Sequence, residues 1–221
     1  MNLNVYATQK QQIDALSQAI FDYIMQTLKT KSQIVIAVSG GKSPIPLFTK
    51  LSNLELPWEK ITITLVDERV VAPEDLDSNE NLVRTYLLQS NAQKAKFIGI
   101  ISDINDAKKC LDNINNNIKT IDLAILGMGE DGHTASIFPN MPELDEALHT
   151  KNKYLITNPI SAKYQRITLS LNGLVNISRL FLSITNEIKL NVFKESILST
   201  NLSYPISYLL DKRDDISVYW H

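Results

Sequence analysis

The sequence predicts an α/β fold: a single domain over residues 1–221, built on a mostly parallel, Rossmann-like sheet with helices on both faces. Three observations carry this. Short apolar runs recur at Ile34–Val38, Ile61–Val66, Leu123–Leu126, Tyr154–Thr157, Ile167–Leu171, Leu180–Ile184 and Tyr204–Leu209, with helical patterns between most of them. Strands that alternate with helices build parallel sheets through crossover connections. The runs are apolar rather than alternating, as strands covered on both faces are. Finally, glycine-rich or charged motifs follow three of the runs directly, where open α/β sheets hold their ligands.

Each element has its own reason. Residues 8–29 carry Ile13, Leu16, Ile20, Tyr23, Ile24 and Thr27-Leu28 at helical spacing, an amphipathic helix. After the first strand, Ser43 is a suitable N-cap and Pro44 suits the first helical position, with Leu47 and Leu51 on one face. Asp77 with Glu80 three residues on reads as a capping box, and Leu82, Val83, Tyr86 and Leu87 give the following helix its buried side. The Asn-rich segment 113–119 reads as a loose connection. No repeat or linker divides the chain.

Composition bounds the function. A hydrophobic content of 44% with 21% charged residues supports a real core, and a net charge of −2 offers no basic field for nucleic acid. One cysteine, Cys110, excludes an internal disulfide framework and fits a reducing compartment. No apolar run approaches the ~20 residues of a membrane span. The start, MNLNVYATQKQQ, lacks a charged segment followed by an apolar core, so a cytoplasmic location is expected.

VSGGKSP after the first run has the tail of a nucleotide-binding P-loop but not its head. The position that must be glycine is Ile36, inside the strand, so the wrap around a triphosphate is missing. Ser39, Gly40, Gly41 and Ser43 instead suggest free N–H groups at a helix start, suited to one phosphate monoester. A plain tight turn is the alternative. In GMGEDGH, three glycines, Gly127, Gly129 and Gly132, give a backbone that can approach a ligand, and Asp131 and His133 sit two apart within it. A histidine suits proton abstraction near neutrality, and a carboxylate can orient it. The competing reading has Asp131 capping a helix and His133 packing. His149 and His221 read as surface groups. Asp-x-His offers two metal ligands where catalytic zinc usually has three from the protein, so no metal is expected. No Gly-x-Ser-x-Gly elbow is present. VDERVV sets Asp67, Glu68 and Arg69 at a strand end. Arg84 is a solvated charge or is aimed at the site. Arg166 and Lys189, each unremarkable alone, would complete an anion site over a helix N-terminus.

Together VSGGKSP, VDERVV, DSNENLVRTYLL, LAILGMGEDGHTASIFP and RITLSL resemble, in order and spacing, the 6-phosphogluconolactonase family, and ITNEIKLNVF resembles its later lysine-bearing segment. The resemblance runs from about Ile34 to Phe193. It implies a fold similar to glucosamine-6-phosphate deaminase, hydrolysis of 6-phospho-D-glucono-1,5-lactone to 6-phosphogluconate in the oxidative pentose phosphate pathway, and no cofactor or metal. It implies His133 as general base, Asp131 as its companion acid and Arg69 as a catalytic arginine. Ser39, Gly40, Gly41, Ser43, Asp67, Arg84, Gly129, Arg166 and Lys189 are implied to face substrate.

Two alternatives stand beside it. Deaminases of the superfamily carry a glutamate five residues after the histidine, and here that position is Phe138, which cannot relay a proton. A non-catalytic sugar-phosphate sensor would need the anchors but neither Asp131 nor His133. The expected partner is a small sugar-phosphate lactone, with no nucleic acid or membrane, on a monomer or small homo-oligomer.

Overall fold

The computed structural model describes residues 1–221. The strands are β1 (Asn2–Val5), β2 (Ile34–Val38), β3 (Ile61–Leu65), β4 (Asp67–Arg69), β5 (Lys96–Phe97), β6 (Leu123–Leu126), β7 (Tyr154–Thr157), β8 (Arg166–Leu169), β9 (Arg179–Ile184) and β10 (Ser217–Trp220). The helices are α1 (Gln9–Thr27), α2 (Ile45–Ser52), α3 (Asn79–Tyr86), α4 (Ala107–Asn117), α5 (Leu144–His149), α6 (Leu171–Val175), α7 (Glu187–Ser196) and α8 (Ile206–Lys212).

Seven strands form a parallel sheet in the order β1-β10-β9-β6-β2-β3-β5. Its central strands are apolar along their length because both faces are covered. Leu16, Ile20 and Ile24 of α1, spaced by four, are each 1% exposed. Burying each such side chain is worth roughly 1.5–3 kcal/mol. That outweighs the weak helix propensity of the β-branched residues among them, at most ~0.7 kcal/mol each. One contiguous hydrophobic core of 55 residues results. No helix is long and apolar enough to cross a membrane.

The sheet is not the only one. β4, β8 and β7 form a second, antiparallel sheet in that order. The runs at Tyr154 and Ile167 therefore leave the parallel sheet to which their apolar character assigns them. Val66 is the pivot. Its N–H donates to Val38 O in the parallel sheet, while its carbonyl accepts from Leu169 N–H of the second. Asp67-Glu68-Arg69, read from the sequence as a strand end, is accordingly a short strand of its own.

Four local expectations are corrected. Residues Tyr204 to Leu209 do not form a strand: α8 begins after Pro205, and Ile206, Leu209 and Leu210 are buried at helical spacing. The closing strand is β10, between β9 and β1. The segment 113–119 is not loose, because α4 runs to Asn117 on a face made by Cys110 and Ile114, and Asn115 bonds both main-chain groups of Tyr154. Ser43 does not cap α2, which starts at Ile45 behind Pro44 without a side-chain cap. The cap of α3 is Ser78, which accepts from Asn81 N–H, not Asp77.

Candidate active site

The loops after β2 and β6, the antiparallel β4–β8 pair and the starts of α1 and α7 enclose a cleft of ≈ 390 Å³. It is the crevice beyond the carboxyl ends of parallel strands where such sheets bind ligands.

The glycine loop after β6 folds back on itself. Gly129 N–H donates to His133 O at 2.9 Å, and Gly132 N–H to Gly129 O at 3.1 Å. Gly132 has φ +71°, and a Cβ there would lie 2.7 Å from Tyr204 Cα, so only glycine fits. The turn brings the two ionisable groups together. The His133 Nδ1 and Asp131 Oδ1 atoms are 2.5 Å apart. Burial pushes Asp131 up, but the hydrogen bonds and charge from His133 outweigh it and hold the carboxyl below its ordinary range. An ionised carboxylate only accepts, so Nδ1 carries a proton, which in the neutral imidazole leaves the lone pair on Nε2. Asp131 therefore orients the histidine and caps no helix. A Cβ on Gly129 would meet His133 Nδ1 at 2.2 Å and Asp131 Oδ1 at 2.4 Å. Gly129→Ala is therefore expected to part this pair while the fold persists. The far-downfield proton NMR resonance of a short Nδ1–H bond should vanish, with little change in circular dichroism.

The second wall is the loop after β2. Ser39 N–H donates to Ile125 O, and Ser39 Oγ accepts weakly from Gly127 N–H at 3.4 Å, which ties this loop to the histidine loop. The next four N–H groups, of Gly40, Gly41, Lys42 and Ser43, have no acceptor within the protein. Consecutive free N–H groups before a helix make an anion-binding concavity. The P-loop-like spelling thus corresponds to a nest without the triphosphate wrap.

The third wall is cationic. Arg69 and Arg166 are register partners across β4 and β8, and both line the cleft. Like charges directly opposite on neighbouring strands destabilise a sheet unless something answers them. Asp67 does so in part. Its Oδ2 lies 3.8 Å from Arg166 Nη1 and accepts from Ser136 Oγ–H at 2.5 Å. Burial pulls Arg166 below its ordinary range, with Asp67 opposing and Arg69 adding to the shift. The Nε atoms of both arginines are buried without a hydrogen-bond partner. Lys189, in the first turn of α7, lies on the same cleft.

Of the residues singled out in the sequence, Ser39, Gly40, Gly41, Ser43, Asp67, Arg69, Gly129, His133, Arg166 and Lys189 line the cleft, and Asp131 stands behind His133. Arg84 does not reach it. Its guanidinium pairs with Glu80 and sits 4.9 Å over the Phe97 ring, one turn along α3. Neither His149 nor His221 lines the cleft: His149 sits beside Asp145, and His221 bonds to Gln12 behind the cleft wall.

Sequence reasoning missed Gln12, Asn79 and the supporting role of Glu68. Gln12 is 2% exposed and donates to Ile184 O and Tyr219 O. A polar residue four before Leu16, on the buried stripe of α1, was the available signal. Asn79 donates to Asp67 O, and its Oδ1 is buried without a partner beside Gly40. Glu68 is 1% exposed and receives four donors: the N–H groups of Arg69, Asn79 and Glu80 and the Ser78 hydroxyl. Nothing local in VDERVV announces that its glutamate caps a helix ten residues later.

A nest of free N–H groups, opposed arginines and a histidine held by a carboxylate at the strand ends define an α/β protein with a cleft suited to a small anionic substrate. The chain belongs to the family described as glucosamine-6-phosphate isomerases/6-phosphogluconolactonase, whose model matches residues 7–220. It is 41% identical over 204 residues to the 6-phosphogluconolactonase of Helicobacter pylori, covering 90% of this chain and 88% of that one. It is 35% identical over 213 residues to that of Neisseria meningitidis, covering 93% and 92%. The crystal structure of a 6-phosphogluconolactonase from Shewanella baltica superposes with a TM-score of 0.92 at 33% identity, covering 99% of this chain and 96% of that one.

Proposed function

We propose that this chain hydrolyses 6-phospho-D-glucono-1,5-lactone to 6-phospho-D-gluconate, with residues 1–221 acting as one catalytic unit and water as the co-reactant. The observation that carries the reading is the His133–Asp131 pair, held at 2.5 Å on the cleft and facing a wall of free N–H groups and arginines.

The phosphate end of the substrate sits on the N–H groups of residues 40–43, with Arg166 and Lys189 supplying charge. This sets the C1 carbonyl near His133. Nε2 takes a proton from water as its oxygen adds to C1, and Asp131 stabilises the imidazolium that forms. Such general-base catalysis contributes typically about 10²–10⁴-fold. The tetrahedral oxyanion needs a donor. Gly129 and Gly132 N–H are committed within their own loop, so the free Arg69 Nε is the better candidate. One such donor is worth ~3 kcal/mol. Collapse of the intermediate breaks the bond from C1 to the ring oxygen, which takes the proton back from Nε2. The small net charge and the single, buried Cys110 support a cytoplasmic protein that engages no nucleic acid; its state is proposed as a monomer or small homo-oligomer.

The test is a rapid coupled assay on freshly generated lactone, with spontaneous hydrolysis subtracted, run beside ammonia release from glucosamine 6-phosphate. Lactone hydrolysis without ammonia is expected. Ammonia release would overturn the reading in favour of the deaminase branch. Sugar-phosphate binding with neither activity would make the chain a sensor.

A further inference from the structure

Phe138 is the side chain in direct contact with the His133 ring whose role the mechanism above leaves open. The two rings stack with centroids 4.1 Å apart and planes 24° from parallel. Phe138 is 7% exposed and lines the cleft. Its own position is firmly built. Ile137 and Ser136 beside it are buried, Ile137 N–H donates to Thr134 O, and Ser136 N–H donates to Thr168 Oγ1 of β8. The Arg166 guanidinium lies 6.0 Å from the same ring centroid.

The imidazole has two constraints without Phe138. Nδ1 is fixed by Asp131, and the main chain is fixed by the glycine turn. A single hydrogen bond at Nδ1 still lets the ring rock about that bond, which sweeps Nε2 through an arc. A flat, rigid surface against one ring face removes that freedom. It also excludes water from that face, and its π cloud attracts the ring more strongly once it becomes a cation.

We propose, resting on the lactonase reading, that Phe138 is a positioning residue: its ring face aims His133 Nε2 at the water and supports the imidazolium formed in the transition state. An aliphatic side chain of similar size fills the space but offers no flat face. Tyrosine keeps the face.

The test compares Phe138→Leu with Phe138→Tyr in the whole chain. Phe138→Leu is expected to lower kcat by about tenfold, the scale of one aromatic or cation–π contact, with KM within about twofold. Phe138→Tyr is expected to restore kcat to within about threefold of the parent. An independent readout needs no activity. Of the three histidines, His133 is the one stacked on an aromatic ring, so its ring protons should resonate upfield of the other two, assigned by their loss in His133→Ala. In Phe138→Leu they should move back among the others. Equal losses in the Leu and Tyr variants, or an unchanged kcat in Phe138→Leu, would overturn the role. So would a His133 signal that does not move. A parent protein that shows the upfield signal but hydrolyses no lactone would instead defeat the lactonase reading, leaving the stack as packing.

Discussion

His133→Ala should abolish lactone turnover while leaving sugar-phosphate binding largely intact. The prediction rests on a division within the cleft. The proposed anion-binding groups belong to the loop after β2, to the β4–β8 pair and to α7, whereas His133 belongs to the loop after β6. Removing the imidazole deletes the proton acceptor without touching the anchors. The expected loss is about 10²–10⁴-fold in kcat, the usual contribution of a positioned base. Because the lactone hydrolyses by itself, the variant must be read against the spontaneous rate. Affinity for 6-phosphogluconate, measured by calorimetry, should change by less than about threefold. A variant that keeps the parental rate would show that another group takes the proton. A variant that loses product binding as well would mean that the loop has collapsed.

The second large effect concerns stability. Glu68→Leu should destabilise the fold by about 3–5 kcal/mol, because four buried donors lose their common acceptor and each costs roughly 1–3 kcal/mol if left unpaired, less whatever relaxation recovers. The same residue sets a pH dependence. Burial pushes its carboxyl from the ordinary 4.5 up to about 7, against the opposing pull of the Asn79, Glu80 and Arg69 N–H groups. The folded state therefore binds this proton more tightly than the unfolded one. The sign follows: the stability contributed by Glu68 is greatest below pH 4.5 and falls as pH rises through about 7, by up to about 3 kcal/mol across that window. Urea unfolding at pH 5 and pH 8 checks both points. The leucine variant should be less stable at each pH and should lack the Glu68 part of the slope. An unchanged slope would mean that the four donors keep the carboxylate ionised throughout.

Glu68 also shows why the site was only partly legible in the sequence. His133, Asp131, Arg69 and the Gly40-Gly41 turn are chemically distinctive residues placed directly after apolar runs, and reading the strands was enough to bring them to one end of the molecule. Glu68, Asn79 and Gln12 act through partners 10 to 207 residues away, and no local pattern encodes such distances. Arg84 marks the opposite failure. Its motif invites a role, but one helical turn on α3 decides that it faces Glu80 and Phe97 instead.

The amino-acid sequence by itself determined the α/β class, the apolar core strands and the position of the reactive loop, because hydrophobic periodicity and glycine placement are local properties. Tertiary structure alone decided three things. It moved β4, β7 and β8 into a separate antiparallel sheet, since apolar strands carry no label for which sheet they join. It turned residues after Pro205 into a helix, because packing of Ile206, Leu209 and Leu210 outweighed their strand-like composition. It also set Arg69 opposite Arg166, because side chains far apart in the chain meet only once the strands have chosen their register, and it turned the loop between His133 and Phe138 so that their rings stack.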